Sequence, residues 1–549
     1  MTSGPRAVPM NETPDLYGAY PRLDESQLAE LNSLGQRRTT SGGEVLYQAG
    51  ESADDFIVVL DGTVAVVQDV ADEERVIAVH GPLRFLGEMG MLTGQPVFLT
   101  ARAQEPGEVL VVPIDQLKDL VPRDPPLADL ILRAFLVRRS LQLTLGAGFA
   151  IIGSRFSADT RRLRDFAARN RLPHQWIDLE TDTEAERLLR ELGIERDETP
   201  VVIWRGEVLR NPDNTRLATA VGLRRTAPVQ SVCDLIVVGA GPAGLAAAVY
   251  GASEGLATVV LDAVATGGQA GTSSRIENYL GFPAGLSGAE LADRAEIQAK
   301  RFGAEITVPA TAVALEARDG HHVVLLENET RISGRAVLIA SGIRYRQLDL
   351  PGLNAFSSGS VYYAATEVEA NLCRNDPVVV VGGGNSAGQA AVFLAQHAAE
   401  VLLVVRSNEL GQDMSRYLAD RIEQTGRIHI LTHSELCEVH GERALEEVVV
   451  QDLKTGERRA APATALFVFI GGVPHVSWLH GRIDLDDRGF VLTGSQLGGG
   501  RQLLETSRRG VFAVGDVRSG SGRRVAAAVG DGAFAIRMVH EHLHLAHTR

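Results

Sequence analysis

Apolar and polar positions change rhythm along this chain of 549 residues. From about 21 to 145, short stretches alternate residue by residue between turns: "EVLYQAG", "FIVVLDGTVAVVQ", "RVIAVHG" and "GEVLVVPI". A period of two marks half-buried strands. "DQLKDLVPRDPPLADLILRAFLVRRSL" then takes helical spacing, so the pattern predicts a small all-β roll closed by helices. From about 146 to 228 the order is strand "FAIIG", helix "DTRRLRDFAARN", strand "QWIDLE", helix "EAERLLRELG", and a hairpin of "TPVVIW" and "GEVLRN". Beyond 229, strands and helices alternate across three glycine-rich turns, which predicts doubly wound α/β sheets. Residues 1–20, with three prolines, read as a flexible tail.

Composition narrows the classes. The net charge of −15 is spread without long runs, which argues against nucleic acid or an anionic membrane as partner. No apolar run reaches about 18 residues, and no basic start precedes an apolar stretch, so a cytoplasmic protein is expected. Three cysteines, Cys233, Cys373 and Cys437, lie far apart. That spacing excludes a local C-x-x-C pair, a disulfide framework and a zinc knuckle, and no metal site is expected.

The chemistry lies in the glycine turns. "CDLIVVGAGPAGLAAAVYGASEGLATVVLD" sets Gly239, Gly241 and Gly244 as G-x-G-x-x-G between a strand and a helix. These glycines suit a tight turn, a close approach to pyrophosphate and helix–strand packing, and the helix N-terminus faces the phosphates. Asp262 ends the next strand, where an acid can accept from ribose hydroxyls. "PVVVVGGGNSAGQAAVFLAQHAAEVLLVVR" repeats the plan with Gly382, Gly384 and Ala387. Its strand ends in Arg406, a partner for a 2′-phosphate, so NADPH is favoured, with NADH still possible. "FAVGDV" ends a third strand at Gly515–Asp516, where an acid can meet the ribityl or pyrophosphate part of FAD.

Residues 229–549 resemble the low-molecular-weight thioredoxin reductase family. The likeness rests on "GAGPAG", "TGGQAG", "IENYLGFP", "VLIASG", "VVGGGNSA", "LFVFIGGVP" and "FAVGDV", in that order. It implies an FAD domain in two parts, 229–350 and 475–549, around an NAD(P)H domain at 351–474. It further implies FAD contacts from Gly268, Gln269, Asn278, Asp516, Arg523, Arg524 and Val525. NADPH would be held by residues 382–387, including Asn385 and Ser386, and by Arg406. Ser407 stands where the family usually has a second basic residue. The family carries C-A-T-C in its inserted domain, whereas "YAATEV" puts Ala364 and Glu367 at the two sulfur positions. Neither side chain can relay electrons by thiol–disulfide exchange. Reduction of thioredoxin is therefore the least favoured reading. A related branch of the fold, the thioredoxin-reductase-like ferredoxin NADP reductases, also lacks the dithiol. The expected function is thus an FAD flavoprotein passing electrons from NAD(P)H to an external acceptor: ferredoxin, flavodoxin or a small molecule. The alternative is a ligand- or redox-sensing flavoprotein with little turnover.

Residues 21–145 resemble a cyclic-nucleotide-binding domain, through "VLDGTVAVV" and "FLGEMGMLTGQPVFLTARA". Gly87 and Glu88 match the start of that family's phosphate cassette, but Val97 stands where it places an arginine. Weak or no cyclic nucleotide binding is expected, since a desolvated phosphate there has no counter-charge. Residues 146–228 resemble a thioredoxin or glutaredoxin fold, with Thr199–Pro200 at the cis-proline loop. Ser157 and Thr160 occupy its two cysteine positions. The resemblances also imply a homodimer.

Overall fold

A computed structural model describes residues 11–547, apart from 53, 71–72, 224–231, 319, 357–358, 413 and 443. They gather into two compact units: Met1–Arg155 with Arg162–Arg225, and Phe156–Arg161 with Thr226–Arg549.

In the first unit, two four-stranded antiparallel sheets form the β-roll. One runs Gln36–Thr40, Gly107–Pro113, Asp55–Asp61, Phe85–Leu86; the other runs Val45–Tyr47, Thr100–Ala103, Val64–Val70, Glu73–His80. Alternation turns Phe56, Val58, Phe85, Leu110 and Val112 inward, where they meet Leu117, Leu127 and Ile131 from the closing helices Ile114–Leu120 and Pro125–Leu145. Phe56 and Phe85 stack at 5.1 Å, worth about 1 kcal/mol beyond the area they bury. The long helix has local signals at both ends. The Asp124 carboxylate accepts from the Leu127 N–H, proline occupies the first turn, and Gly146 closes the helix at φ 62°.

The expected flexible tail does not hold for residues 11–20; residues 1–10 lie outside those described. Thr13 exchanges hydrogen bonds with Val79, Glu12 pairs with Arg84 at 2.8 Å, and Ala19 and Tyr20 are buried. Composition misled here because one carboxylate and one aromatic ring anchor an otherwise loop-like segment.

The same unit carries a third four-stranded sheet in the order His174–Ile177, Phe149–Ile152, Val201–Trp204, Glu207–Arg210. The last two strands are the expected antiparallel hairpin, and the Thr199–Pro200 bond is cis. A short helix, Asn214–Ala220, was not expected from "NTRLATA"; Asp213 starts it by accepting from the Arg216 N–H at 2.6 Å.

The second unit holds two parallel-cored sheets. The first orders Glu305–Thr307, Thr258–Leu261, Cys233–Val238 and Arg331–Ile339, all parallel, then His321–Leu326 and Ala312–Arg318 antiparallel. Val511–Ala513 joins it parallel to Arg331–Ile339, so chain from the far end of the sequence completes the sheet. The second sheet orders Val361–Tyr362, Ala465–Val468, Pro377–Val381, Glu400–Val404 and Ile428–Leu431, all parallel. The central strands carry the unbroken apolar runs "LIVV" and "VVVV" because both faces of each are covered, one by helices and the other by residues around Trp478 and Val491 in the first sheet and by strand residues such as Leu436 and Val448 in the second. Three antiparallel strands, Ser434–His440, Glu447–Asp452 and Arg458–Pro462, flank the second sheet. Ile343–Tyr345 pairs with Gly472–Pro474 where the chain passes between the two sheets. Among the described residues, no helix is long and apolar enough to cross a membrane.

The Glu12–Arg84 pair yields a stability prediction. Arg84 is 5% exposed, so Glu12→Ala strips a buried guanidinium of its carboxylate. The β-roll should lose about 1–3 kcal/mol, read as an earlier first transition in a calorimetric scan.

Candidate functional site

The first glycine turn is built by two steric demands. Gly239 sits at φ 110°, and a Cβ there would strike the Ala340 carbonyl of the neighbouring strand. A Cβ on Gly244 would strike the Gly239 carbonyl oxygen, so only glycine lets helix Pro242–Ser253 lie this close to its strand. Gly241 differs. It caps the helix with extended backbone, and a Cβ on it would meet only the Gly268 Cα, at 3.7 Å. The turn therefore presents bare backbone and the free N–H groups of a helix N-terminus, the arrangement a pyrophosphate needs.

Other expected residues gather around it. The Gly268 backbone faces Gly241, and the Gln269 amide donates to the Ile343 carbonyl at 3.3 Å. A Cβ on Gly515 would lie 3.0 Å from the Ala243 methyl, which puts the Gly515–Asp516 turn beside the same helix start. Burial raises the Asp516 carboxyl pKa, opposed by the hydrogen bond from the Ser521 hydroxyl and by Arg523. Arg523 and Arg524 are exposed just before helix Val525–His547, and Val525 opens that helix. Asn278 is exposed in the bend after Ile276.

Asp262 has more work than expected. Its carboxylate already accepts three backbone N–H groups, from Ala240 at 2.8 Å, Val264 at 2.9 Å and Ala265 at 3.0 Å. It fastens the glycine turn to the strand end, and only its remaining lone pairs can serve a ribose. Asp531 was missed. It accepts from the Gly515 N–H at 3.2 Å and pairs with Arg518 at 3.1 Å, bracing the turn that presents Asp516. An acid inside the otherwise apolar "VAAAVGDGAFAI" was the available signal.

The second glycine turn follows the same rules. Gly382, at φ 142°, leaves no room for a Cβ beside the Phe469 carbonyl, and Gly384 caps helix Asn385–Leu394. Asn385 accepts from the Ser415 N–H at 2.7 Å, which ties the helix start to the following helix. Ser386 lies in the first turn, and Ala387 is buried against Gly382. Arg406 is exposed just beyond strand Glu400–Val404, and the Ser407 hydroxyl donates to the Glu409 carbonyl. Glu277 and Arg421 form a two-toothed pair at 3.0 and 2.9 Å, a link between the two dinucleotide folds that spacing alone does not reveal.

Ala364, half-buried, precedes the short helix Glu367–Leu372, at whose start the Glu369 carboxylate accepts from the Thr366 N–H and hydroxyl. Tyr362 stacks on Phe467 at 5.1 Å in the core of the second sheet, so it is a packing aromatic. All three cysteines are free. Burial pushes the Cys233 and Cys373 thiols up to about 12, and Cys373 Sγ donates to the Glu369 carbonyl. Such thiols are inert at neutral pH.

In the first unit, Gly87 at φ 93° lies against the Asp55 carbonyl, and Glu88 is buried in an ion pair with Arg138 at 2.9 Å. Val97 is buried in the β-roll core beside Phe56, Phe85 and Met91. Arg102 points elsewhere and pairs with Glu74 at 2.6 Å. At the start of helix Ala158–Arg169, Ser157 Oγ accepts from the Thr160 N–H at 3.3 Å, a cap in the place of a sulfur. Among the described residues, no cluster of three His, Cys, Asp or Glu side chains could hold a metal ion.

Comparisons with known proteins agree with this geometry. The family profile described as Pyridine nucleotide-disulphide oxidoreductase matches residues 233–532, and that of the Cyclic nucleotide-binding domain matches residues 37–124. The thioredoxin reductase of Streptomyces clavuligerus is 34% identical over 308 residues, covering 56% of this chain and 92% of its own. That of Mycolicibacterium smegmatis is 36% identical over 307 residues, covering 56% and 95%. The crystal structure of Lactococcus lactis thioredoxin reductase in its FR conformation superposes with a TM-score of 0.53 at 27% identity, covering 56% of this chain and 98% of that one.

The steric reading of the first turn is open to test. Gly244→Ala should yield folded protein that purifies with little or no yellow cofactor, measured as the ratio of flavin to protein absorbance. Flavin content equal to the parent's would show that the helix can shift to admit the methyl group.

Proposed function

We propose that this chain, which belongs to the pyridine nucleotide-disulphide oxidoreductase family in its thioredoxin-reductase form, passes electrons from NAD(P)H to an acceptor outside the chain. The family uses FAD and NADPH. The observation that carries the reading is a pairing of presence and absence. The bare-backbone cradle at Gly241 and Gly268 suits a dinucleotide, while the family resemblance assigns the relay sulfurs to the positions of Ala364 and Glu367, and burial raises the Cys233 and Cys373 thiols to about 12.

FAD would lie with its pyrophosphate at the N-terminus of helix Pro242–Ser253, between the Gly239–Gly244 turn, Gly268 and the Gly515–Asp516 turn. NADPH would lie at the N-terminus of helix Asn385–Leu394, with Arg406 beside the 2′-phosphate. The bound flavin supplies a two-electron acceptor for hydride. The protein's own part is placement: each helix dipole would face a phosphate, Asp262 holds the first turn through its backbone hydrogen bonds, and Asp531 holds Gly515. Ferredoxin, flavodoxin or a small oxidant is the acceptor class, and the chain works as a homodimer.

The relatives' printed name is thioredoxin reductase, a reaction that needs a dithiol beside the flavin. Added anaerobically to the purified yellow protein, NADPH should bleach it, and an acceptor screen should then restore the colour. Steady turnover with purified thioredoxin and no added thiol would sink the proposal.

Nucleotide choice tests the Arg406 assignment. Arg406→Glu should raise the KM for NADPH by roughly 10- to 100-fold, the worth of one charge-assisted contact, and leave the KM for NADH nearly unchanged.

A further inference from the structure

The end of the first dinucleotide sheet at which Cys233–Val238 and Val511–Ala513 begin carries charge that neither glycine turn uses. Gly510, at φ 72°, leads into the second of these strands, and two imidazoles close on it. A Cβ there would lie 2.6 Å from His542 Nε2 and 2.9 Å from His322 Nε2. His322 stands on strand His321–Leu326 opposite Gly334, and His542 on helix Val525–His547. Just before Gly510, the Thr506 hydroxyl accepts from the Arg508 N–H at 3.2 Å, and the Ser507 hydroxyl accepts from the Asp484 N–H at 2.9 Å. The second bond brings the chain around Arg482 alongside. The Gly239 and Gly515 turns lie at the opposite ends of these strands, roughly 20 Å away across a six-residue strand.

Arg482, Arg508 and Arg509 gather at this edge, and among the described residues none of them forms an ion pair. The acids close by are committed elsewhere. Glu505 accepts from the Gly510 N–H at 3.3 Å and lies 3.8 Å from Arg501 Nη1; Asp234 holds Arg335 at 2.9 Å and the Ala257 N–H at 3.0 Å. Asp484 enters through its backbone N–H. Arg508 is half-buried, and burial lowers its pKa, with Arg482 lowering it further. Burial, and then Arg508 and His542, bring His322 down to about 4, so its ring is neutral, and its buried Nδ1 has no hydrogen-bond partner among the described residues. Burial also lowers His542, where Glu505 opposes and Arg335 and Arg509 assist. In a chain of net charge −15, a partly desolvated guanidinium beside another cation is a site short of an anion.

We infer that this edge is an anion site separate from both dinucleotide sites, where Arg508 and Arg482 hold a small phosphoryl dianion, with the His322 imidazole as a neutral hydrogen-bonding neighbour. Each guanidinium offers a planar fork matched to a pair of oxygens. A tetrahedral phosphoryl group has oxygens enough for two forks, whereas a carboxylate has one pair. Two negative charges also offset the mutual repulsion of the arginines. Inorganic phosphate and a phosphate monoester share this chemistry. The site stands whichever acceptor the reductase half serves.

Hydrogen exchange on the full-length, flavin-loaded protein, with NADP⁺ added to occupy the second glycine turn, tests the site. Inorganic phosphate and glycerol 3-phosphate are compared separately with sodium chloride of equal ionic strength. With one or both, amides of 506–510 should exchange about threefold more slowly or better, and the probe effective at lower concentration identifies the source. Arg508→Gln should raise the concentration giving half the protection by about 10- to 100-fold, and Arg482→Gln by about tenfold. Without added anion, Arg508→Gln should melt no lower than the parent, because an unmatched cation has been removed. A lower melting point would make Arg508 a packing residue and overturn the site. Arg482 is exposed, so its variant reads binding without disturbing the core. No protection at 506–510 from either probe, or protection undiminished in both variants, would equally refute the assignment.

Discussion

Two backbones that approach each other without side chains, at Gly241 and Gly268, set the terms for the dinucleotide half. The gap between them is the only kind of surface a pyrophosphate tolerates: N–H donors, a helix dipole and no carbon in the way. Holding it open requires Gly239 in a left-handed turn, Gly244 with no Cβ, and Asp262 with both carboxylate oxygens committed to backbone. The far end of the chain is drawn in as well. Val511–Ala513 completes the sheet, and helix Val525–His547 lays Ala528, Ala535 and Ile536 against Ala243, Ala247 and Ala248. Small residues on both helices let Gly515 sit beside the helix start. The inserted second sheet repeats this solution around Gly382.

In the front unit the corresponding constraint is a buried charge. Arg138 is covered by the Tyr20 and Phe85 rings and balanced by Glu88. The N-terminal segment, the cassette-like turn and the closing helix therefore depend on one guanidinium. His80 stays in the same neighbourhood as a neutral ring, its pKa held well below the usual range by burial and by Arg138 and Arg84. A protonated ring there would add a third buried cation to a site with little carboxylate to spare.

Much of this was legible in the sequence, and the reasons are specific. Strands such as "PVVVV" and the β-roll repeats announce themselves by period, and glycine turns by their flanking strand and helix. The order of those motifs carried the reductase-like half. What stayed hidden depends on contacts distant in sequence. Arg138 and Glu88 lie 50 residues apart, Glu277 and Arg421 lie 144 apart, and no local pattern links them. Asp262 showed its position but not its three backbone partners. Residues 11–20 were misjudged because anchoring by Glu12 and Tyr20 is a property of where Arg84 and Arg138 end up.

The residues that replace the expected chemistry are not idle. Val97 fills the apolar core where a phosphate-binding arginine was expected. Ser157 caps a helix, and at the start of another the Glu369 carboxylate accepts from the Thr366 N–H and hydroxyl, at or beside the positions of the expected sulfurs. A helix N-terminus lowers a thiol's pKa because its free N–H groups seek negative charge. Here the Ser157 hydroxyl takes one such N–H, from Thr160, and the Glu369 carboxylate takes the Thr366 N–H. Restoring one lost side chain would thus have to undo a packing or capping contact. That cost separates a position committed to packing or capping from one that is merely vacant.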